Sequence, residues 1–164
     1  MEESSADFVV VGGGTAGCVL ANRLSTDRGH RVVVLEAGPN DVSPYIHVPA
    51  GLMRLQQKYN WRHRAEPDAS RYGAVDHWAA GKVLGGSSSI NGMLWVRGDP
   101  SDFDAWAAAG CDGWDYAHVL PYFIRAETYE RPGDPSRGTD GPQHVSHLRG
   151  LHPLTQEFVA AALE

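Results

Sequence analysis

The stretch from Asp7 to Glu36 constrains the fold more than any other. It reads DFVVV, then GGGTAG, then CVLANRLS. After the turn DRGHR comes a second apolar run, RVVVLE. Short, uninterrupted, β-branched apolar runs are typical of strands buried in a parallel sheet. Parallel strands need a crossover connection, usually a helix, and Cys18, Val19, Leu20, Ala21 and Leu24 give the intervening segment a mainly apolar face. The expectation is a β-α-β unit with buried strands at residues 7–11 and 31–36. Gly12, Gly14 and Gly17 form a G-x-G-x-x-G between strand and helix, the context in which that string has a mechanism. Gly12 permits the tight turn, Gly14 lets the backbone approach a pyrophosphate, and Gly17 lets the helix pack closely. The helix start offers unpaired N–H groups around Thr15 and Ala16 and a partial positive charge. Glu36 ends the second run about 20 residues after the glycines, where a carboxylate accepts from ribose hydroxyls and disfavours a 2′-phosphate. The fold class is therefore α/β, with a Rossmann-like dinucleotide-binding domain. The glycine pattern alone does not choose between FAD and NAD.

A second glycine-rich stretch, GKVLGGSSSINGMLWVRGD at residues 81–99, resembles a flexible linker in composition. It is fenced by Val83 and Leu84 on one side and by Ile90, Met93, Leu94 and Trp95 on the other. Permissive backbone in apolar surroundings points to a close approach to something buried. Residues 37–81 are irregular, broken by Pro39, Pro44, Pro49 and Pro67, with NWRHRAEP a short exposed strand. Residues 102–109 and 116–126 read as helices, ERPGDPSRGTDGPQ as a loop, and LTQEFVAAALE as an amphipathic helix with no closing residue.

These residues carry a resemblance. Gly81-Lys82-Val83-Leu84-Gly85-Gly86-Ser87-Ser88, then Ile90-Asn91, Trp95, Gly98 and Asp104, resembles position by position the signature of the glucose–methanol–choline (GMC) family of flavin oxidoreductases. DFVVVGGGTAGCVLANRLS, VLEAG, NWRHRAEP, FDAWAAAGCDGWDYAHVLPYF and GTDGP look like its bacterial choline-dehydrogenase-like branch. The resemblance covers essentially the whole chain. It implies FAD as cofactor and oxidation of an alcohol CH–OH by hydride transfer to flavin N5. The ADP half is then expected on Gly12, Gly14, Thr15, Ala16, Gly17, Glu36 and Ala37. Val83, Gly86, Ser87, Asn91, Gly92, Met93 and Leu94 would follow the pyrophosphate and flavin, with Asn91 and Gly92 nearest the ring. Ile90, Met93 and Leu94 would keep water out, as hydride transfer requires, and Trp61 would pack near the cofactor. A subset of the family has a flavin-linked His at the position of Ile90, so the resemblance implies FAD held non-covalently. Relatives usually carry Pro-Arg before the Gly-Lys pair. Ala79-Ala80 stands here, so phosphate binding is expected to rest more on the helix N-terminus.

The resemblance also implies that residues 1–150 are the first part of a discontinuous FAD-binding domain, with 151–164 leading toward a substrate domain. The family's catalytic His and its paired His or Asn would lie outside this chain, on a second polypeptide or a cleaved remainder. No catalytic residue and no metal site are expected within it. The eight His residues read as surface or structural, and His144-x-x-His147 lacks a further ligand. Cys18 reads as core packing, and Ser87–Ser89 lack a nucleophile elbow. A formal charge of −6 argues against a nucleic-acid partner. The polar start MEESSADF has no signal-peptide core, no run is long enough to span a membrane, and two cysteines make no disulfide framework, so a cytoplasmic location is expected. Two readings compete with the alcohol oxidoreductase. One is an inactive nucleotide-binding or assembly fragment. The other is a short NAD-dependent dehydrogenase, disfavoured because no Tyr-x-x-x-Lys pair is present and the stretch after Gly81 would go unexplained.

Overall fold

The structure is a computed structural model describing residues 5–131 and 133–163. The chain packs as two compact units, the first ending at Leu94 and the second beginning at Trp95. This partition by packing differs from the 1–150 and 151–164 division expected for family domains.

In the first unit, β1 (Phe8–Val11) and β2 (Val32–Leu35) pair in parallel, with Phe8 opposite Val32 and Val11 opposite Leu35. Helix α1 (Thr15–Leu24) joins them. The expected β-α-β unit is present, but its strands are not buried on both faces. Only Val10 is core, whereas Val9, Val11 and Leu35 are more than half exposed. The cause is the two-stranded sheet, on which α1 covers a single face. Cys18 also departs from expectation. It is exposed, and its thiol donates to the Gly13 carbonyl at 3.2 Å rather than packing in a core.

The segment after β2 holds more structure than its prolines suggest. Helix α2 (Pro44–His47) takes Pro44 in its first turn, where a missing N–H costs nothing. Helix α3 (Leu52–Lys58) then follows. Leu55 and Tyr59, four residues apart on one face, meet Val83 and Ile90 in this unit's core, with Ile46 against them. Strand β3 (His63–Arg64) lies within the stretch expected as a short exposed strand, and it pairs antiparallel with β4 (His77–Trp78), which had no such expectation.

In the second unit, α4 (Pro100–Ala108) and α5 (Tyr116–Ala126) coincide closely with the helices read from sequence. Asp99 and Asp115 cap them through Ser101 N–H and His118 N–H. Strands β5 (Glu127–Tyr129) and β6 (Gln143–Val145) run parallel on either side of the expected loop. Helix α6 (Pro153–Leu163) follows the amphipathic run as far as Leu163, and Glu164 lies outside the described residues. The centre of this unit is a charge. Glu127 is fully buried and accepts from Trp95 Nε1 at 2.8 Å, Arg137 Nε at 2.7 Å, the Gly138 N–H at 3.1 Å, and Arg97. Burial raises its carboxyl pKa, and the Gly138 N–H, the indole and the two guanidiniums lower it by more, leaving it below its ordinary value.

Candidate nucleotide-binding site

Two glycine-rich loops meet backbone to backbone. Gly12 leaves β1 with φ +93°, in the left-handed region that favours glycine, and its N–H donates to the Leu35 carbonyl at 2.7 Å. A Cβ on Gly17 would stand 1.9 Å from the Gly12 carbonyl oxygen, so α1 packs on the loop only because that atom is missing. The second loop closes from above. The Gly85 N–H donates to the Gly13 carbonyl at 2.7 Å, and a Cβ on Gly86 would lie 2.7 Å from Gly14 Cα. These contacts explain the apolar fence around residues 81–95. Val83 and Ile90 are buried core that anchors the loop, while Gly85 and Gly86 lie on the Gly12–Gly17 turn.

Between the loops is a cleft of about 600 Å³, within the range of cofactor sites. Nine of the predicted residues line it: Gly12, Gly14, Thr15, Ala16, Gly17, Glu36, Ala37, Gly86 and Ser87. Val11, Leu35, Gly81 and Trp61 complete the lining. Val11, Leu35 and Gly81 had no separate signal in the sequence beyond flanking the two loops. Val83 is not in the lining, since its side chain is wholly buried. Asn91 and Met93 line a separate small pocket with residues of α2 and α3, and Gly92 has open space around it. Met93 and Leu94 are 58% and 77% exposed. Only Ile90, of the three expected to exclude water, is therefore buried within this chain.

The donor set suits a diphosphate next to a ribose. Helix α1 begins after Gly14 with no side chain capping its N-terminus, so its first N–H groups and its dipole face the cleft's lining. A Cβ at Gly14 would meet only Gly86 Cα, at 3.9 Å, so the approach there is open. Glu36 is fixed by two backbone donors, the Gly13 N–H on Oε2 and the Gly38 N–H on Oε1, both at 2.7 Å. A carboxylate offers about four acceptor sites, so these bonds orient Glu36 and leave capacity for hydroxyl donors. Among the described residues, no cluster of three or more His, Cys, Asp or Glu is arranged to hold a metal ion.

Residues 6–164 match the family model described as GMC oxidoreductase. The chain belongs to that family. GMC oxidoreductases bind FAD, and this chain corresponds to their FAD-binding N-terminal region. It is 48% identical over 164 aligned positions to mitochondrial choline dehydrogenase of Mus musculus, covering 94% of this chain and 28% of the relative. It is 46% identical over 158 positions to the oxygen-dependent choline dehydrogenase of Rhizobium rhizogenes, covering 95% and 29%. Among solved structures, pyridoxine 4-oxidase from Mesorbium loti matches with TM-score 0.85 and 40% identity over 97% of this chain and 32% of that one. A formate oxidase matches with TM-score 0.84 and 32% identity over 98% and 30%. The GMC chain thus spans less than a third of the length of these relatives. No helix among its described residues is long and apolar enough to cross a membrane.

Proposed function

We propose that this chain is the FAD-cradling portion of a GMC alcohol oxidoreductase, with the acid–base groups and substrate domain supplied by further polypeptide. The observation that carries the reading is the interlock of the Gly12–Gly17 and Gly81–Ser87 loops around one cleft with Glu36 fixed at its edge. Bound FAD supplies the acceptor for the hydride taken from the alcohol carbon. The chain's own residues bind and orient. The start of α1 neutralises diphosphate charge without Lys or Arg, in keeping with Ala79-Ala80 at the usual Pro-Arg position. Glu36 accepts from the adenosine ribose. Asn91, Gly92, Met93 and Leu94 are assigned to the flavin end, and the exposed side chains of Met93 and Leu94 are available to be covered by the ring or by further polypeptide.

Ile90 offers no nucleophile and is 3% exposed in the core, which supports non-covalent FAD. The half-exposed valines of β1 and the two-stranded sheet favour completion of that sheet by further strands. Proton transfer from the alcohol is assigned to a base outside this chain. Denaturing the purified protein tests the cofactor assignment: FAD should be freed into solution, and flavin retained on the polypeptide would contradict it. Anaerobic addition of an alcohol should bleach the flavin of the full-length protein. Bleaching by this chain alone would overturn the placement of the base.

A further inference from the structure

Trp61 is the one aromatic side chain in the cleft lining, and its position is set by a neighbour that does not line the cleft. The Oδ1 of Asn60 accepts two backbone N–H groups, from Arg62 at 2.8 Å and from Ala80 at 3.1 Å. The first bond closes a tight turn over Trp61 in which Arg62 has φ +55°, a left-handed conformation that a non-glycine residue adopts at an energetic penalty. The second ties that turn to the segment leading into the Gly81 loop. The same segment is sewn by Trp61 N–H to the Ala80 carbonyl and Lys82 N–H to the Tyr59 carbonyl, both at 2.9 Å, around an Asn60–Gly81 bridge. The ring is held as well. The Lys82 ammonium lies 4.4 Å from the Trp61 ring centroid, and the His63 imidazole is stacked within 12° of parallel at 6.0 Å. Lys82 makes no ion pair with any described residue.

We infer that Asn60 is a positioning residue for the nucleotide: its carboxamide oxygen locks the strained Trp61–Arg62 turn so that Trp61 stands as a fixed wall of the FAD cleft. This rests on the reading of that cleft as the FAD site. The strain at Arg62 gives the argument its direction. A left-handed arginine is retained where other groups compensate: here the Asn60 oxygen accepts the Arg62 N–H, and the Gln57 carbonyl accepts from the Arg62 guanidinium at 2.5 Å. Remove its acceptor and the turn relaxes, the Ala80 N–H loses its partner, and Trp61 is free to leave the cleft. Asn60 touches no part of the proposed ligand itself.

The test is a double-mutant cycle on the whole deflavinated protein, titrated with FAD and with ADP. Asn60→Ala and Trp61→Leu should each weaken FAD about 10-fold, and the double variant should be no weaker than Trp61→Leu alone. Asn60→Asp keeps the acceptor and should bind within about 3-fold of wild type. Adding Arg62→Gly to Asn60→Ala removes the strain and should restore most of the affinity. If Asn60→Ala fails to fold, the Asp variant and the Arg62→Gly double variant carry the test. Additive losses in the double variant, or wild-type affinity in folded Asn60→Ala, overturn the positioning role. Failure of the wild-type protein to bind either FAD or ADP overturns the reading of the cleft instead, so the two failures are distinct.

Discussion

Gly14, the N-cap of α1, and Gly17, in its first turn, lie three residues apart and do opposite work. A Cβ on Gly17 would stand 1.9 Å from the Gly12 carbonyl oxygen and 3.1 Å from its carbon. Ordinary contact requires roughly 1.5 Å of separation between α1 and the turn, because non-bonded atoms rest about 3.5 Å apart. That movement strains the Gly12 N–H bond to Leu35 and the Gly85 N–H bond to Gly13. Overpacking costs about 1–3 kcal/mol, and each lost hydrogen bond adds about 1 kcal/mol. Alanine's better helix propensity returns about 1 kcal/mol. Gly17→Ala should therefore destabilise the apoprotein by about 2–4 kcal/mol, seen as a fall in melting temperature of roughly 5–15 °C. Gly14 is different. It is the N-cap of α1, with extended backbone and no atom nearer to its Cβ position than 3.9 Å. Gly14→Ser places a good N-cap there, so stability should hold or rise slightly. Its side chain, however, occupies the space assigned to the diphosphate and takes one of the helix-end N–H groups, so FAD affinity should fall at least about 10-fold, or about 1.4 kcal/mol. Thermal melts of the apoprotein and FAD titration by flavin fluorescence read the two effects separately. A Gly14→Ser protein that binds FAD like wild type, or a Gly17→Ala protein that melts like wild type, would refute the division of roles.

Two other perturbations follow from the same geometry. Glu127→Gln removes the charge that Arg97 and Arg137 share in a buried site, and leaving those cations uncompensated should cost about 3–5 kcal/mol in chemical denaturation at neutral pH. Because the folded Glu127 carboxyl is held below its ordinary 4.5, its stabilisation is complete above that pH and is lost as pH falls through the lower folded value. Wild type should show that acid-side loss, and the Gln variant should lack that part of it. Glu36→Ala removes the acceptor of the Gly13 and Gly38 N–H groups and the proposed ribose contact, so isothermal titration should show FAD binding weakened by about 10-fold or more.

The strand–glycine–helix–strand unit was legible because its elements are specified locally. Phe8–Val11 and Val32–Leu35 are apolar, largely β-branched runs, and Gly17 is required by helix packing. The site's second wall was only partly legible. Trp61 and Gly81 reach the cleft through pairing around Asn60, a long-range contact that leaves no periodic trace in an irregular, proline-rich segment. Helix α3 was missed for a related reason: Leu55 and Tyr59 share a face, but prolines at 44 and 49 dominate the local signal, and both turn out to begin short helical turns. Strands β5 and β6 are short and sparse in apolar residues, and their neighbourhood is organised by Glu127, whose burial no local pattern announces. The exposure of Cys18 and Val9 has the opposite origin. Both are core by residue type, and burial depends on neighbours that these described residues do not provide.

In the proposed function, the cleft between the two glycine loops holds the ADP half of FAD. Competition against FAD added back to the deflavinated protein tests it most directly, with ADP, riboflavin and 2′-phospho-ADP as competitors. ADP should displace FAD, 2′-phospho-ADP should be markedly weaker because the Glu36 carboxylate, the proposed ribose partner, disfavours a 2′-phosphate, and Gly14→Ser should weaken ADP and FAD alike. Displacement by riboflavin alone, with ADP without effect, would contradict the account.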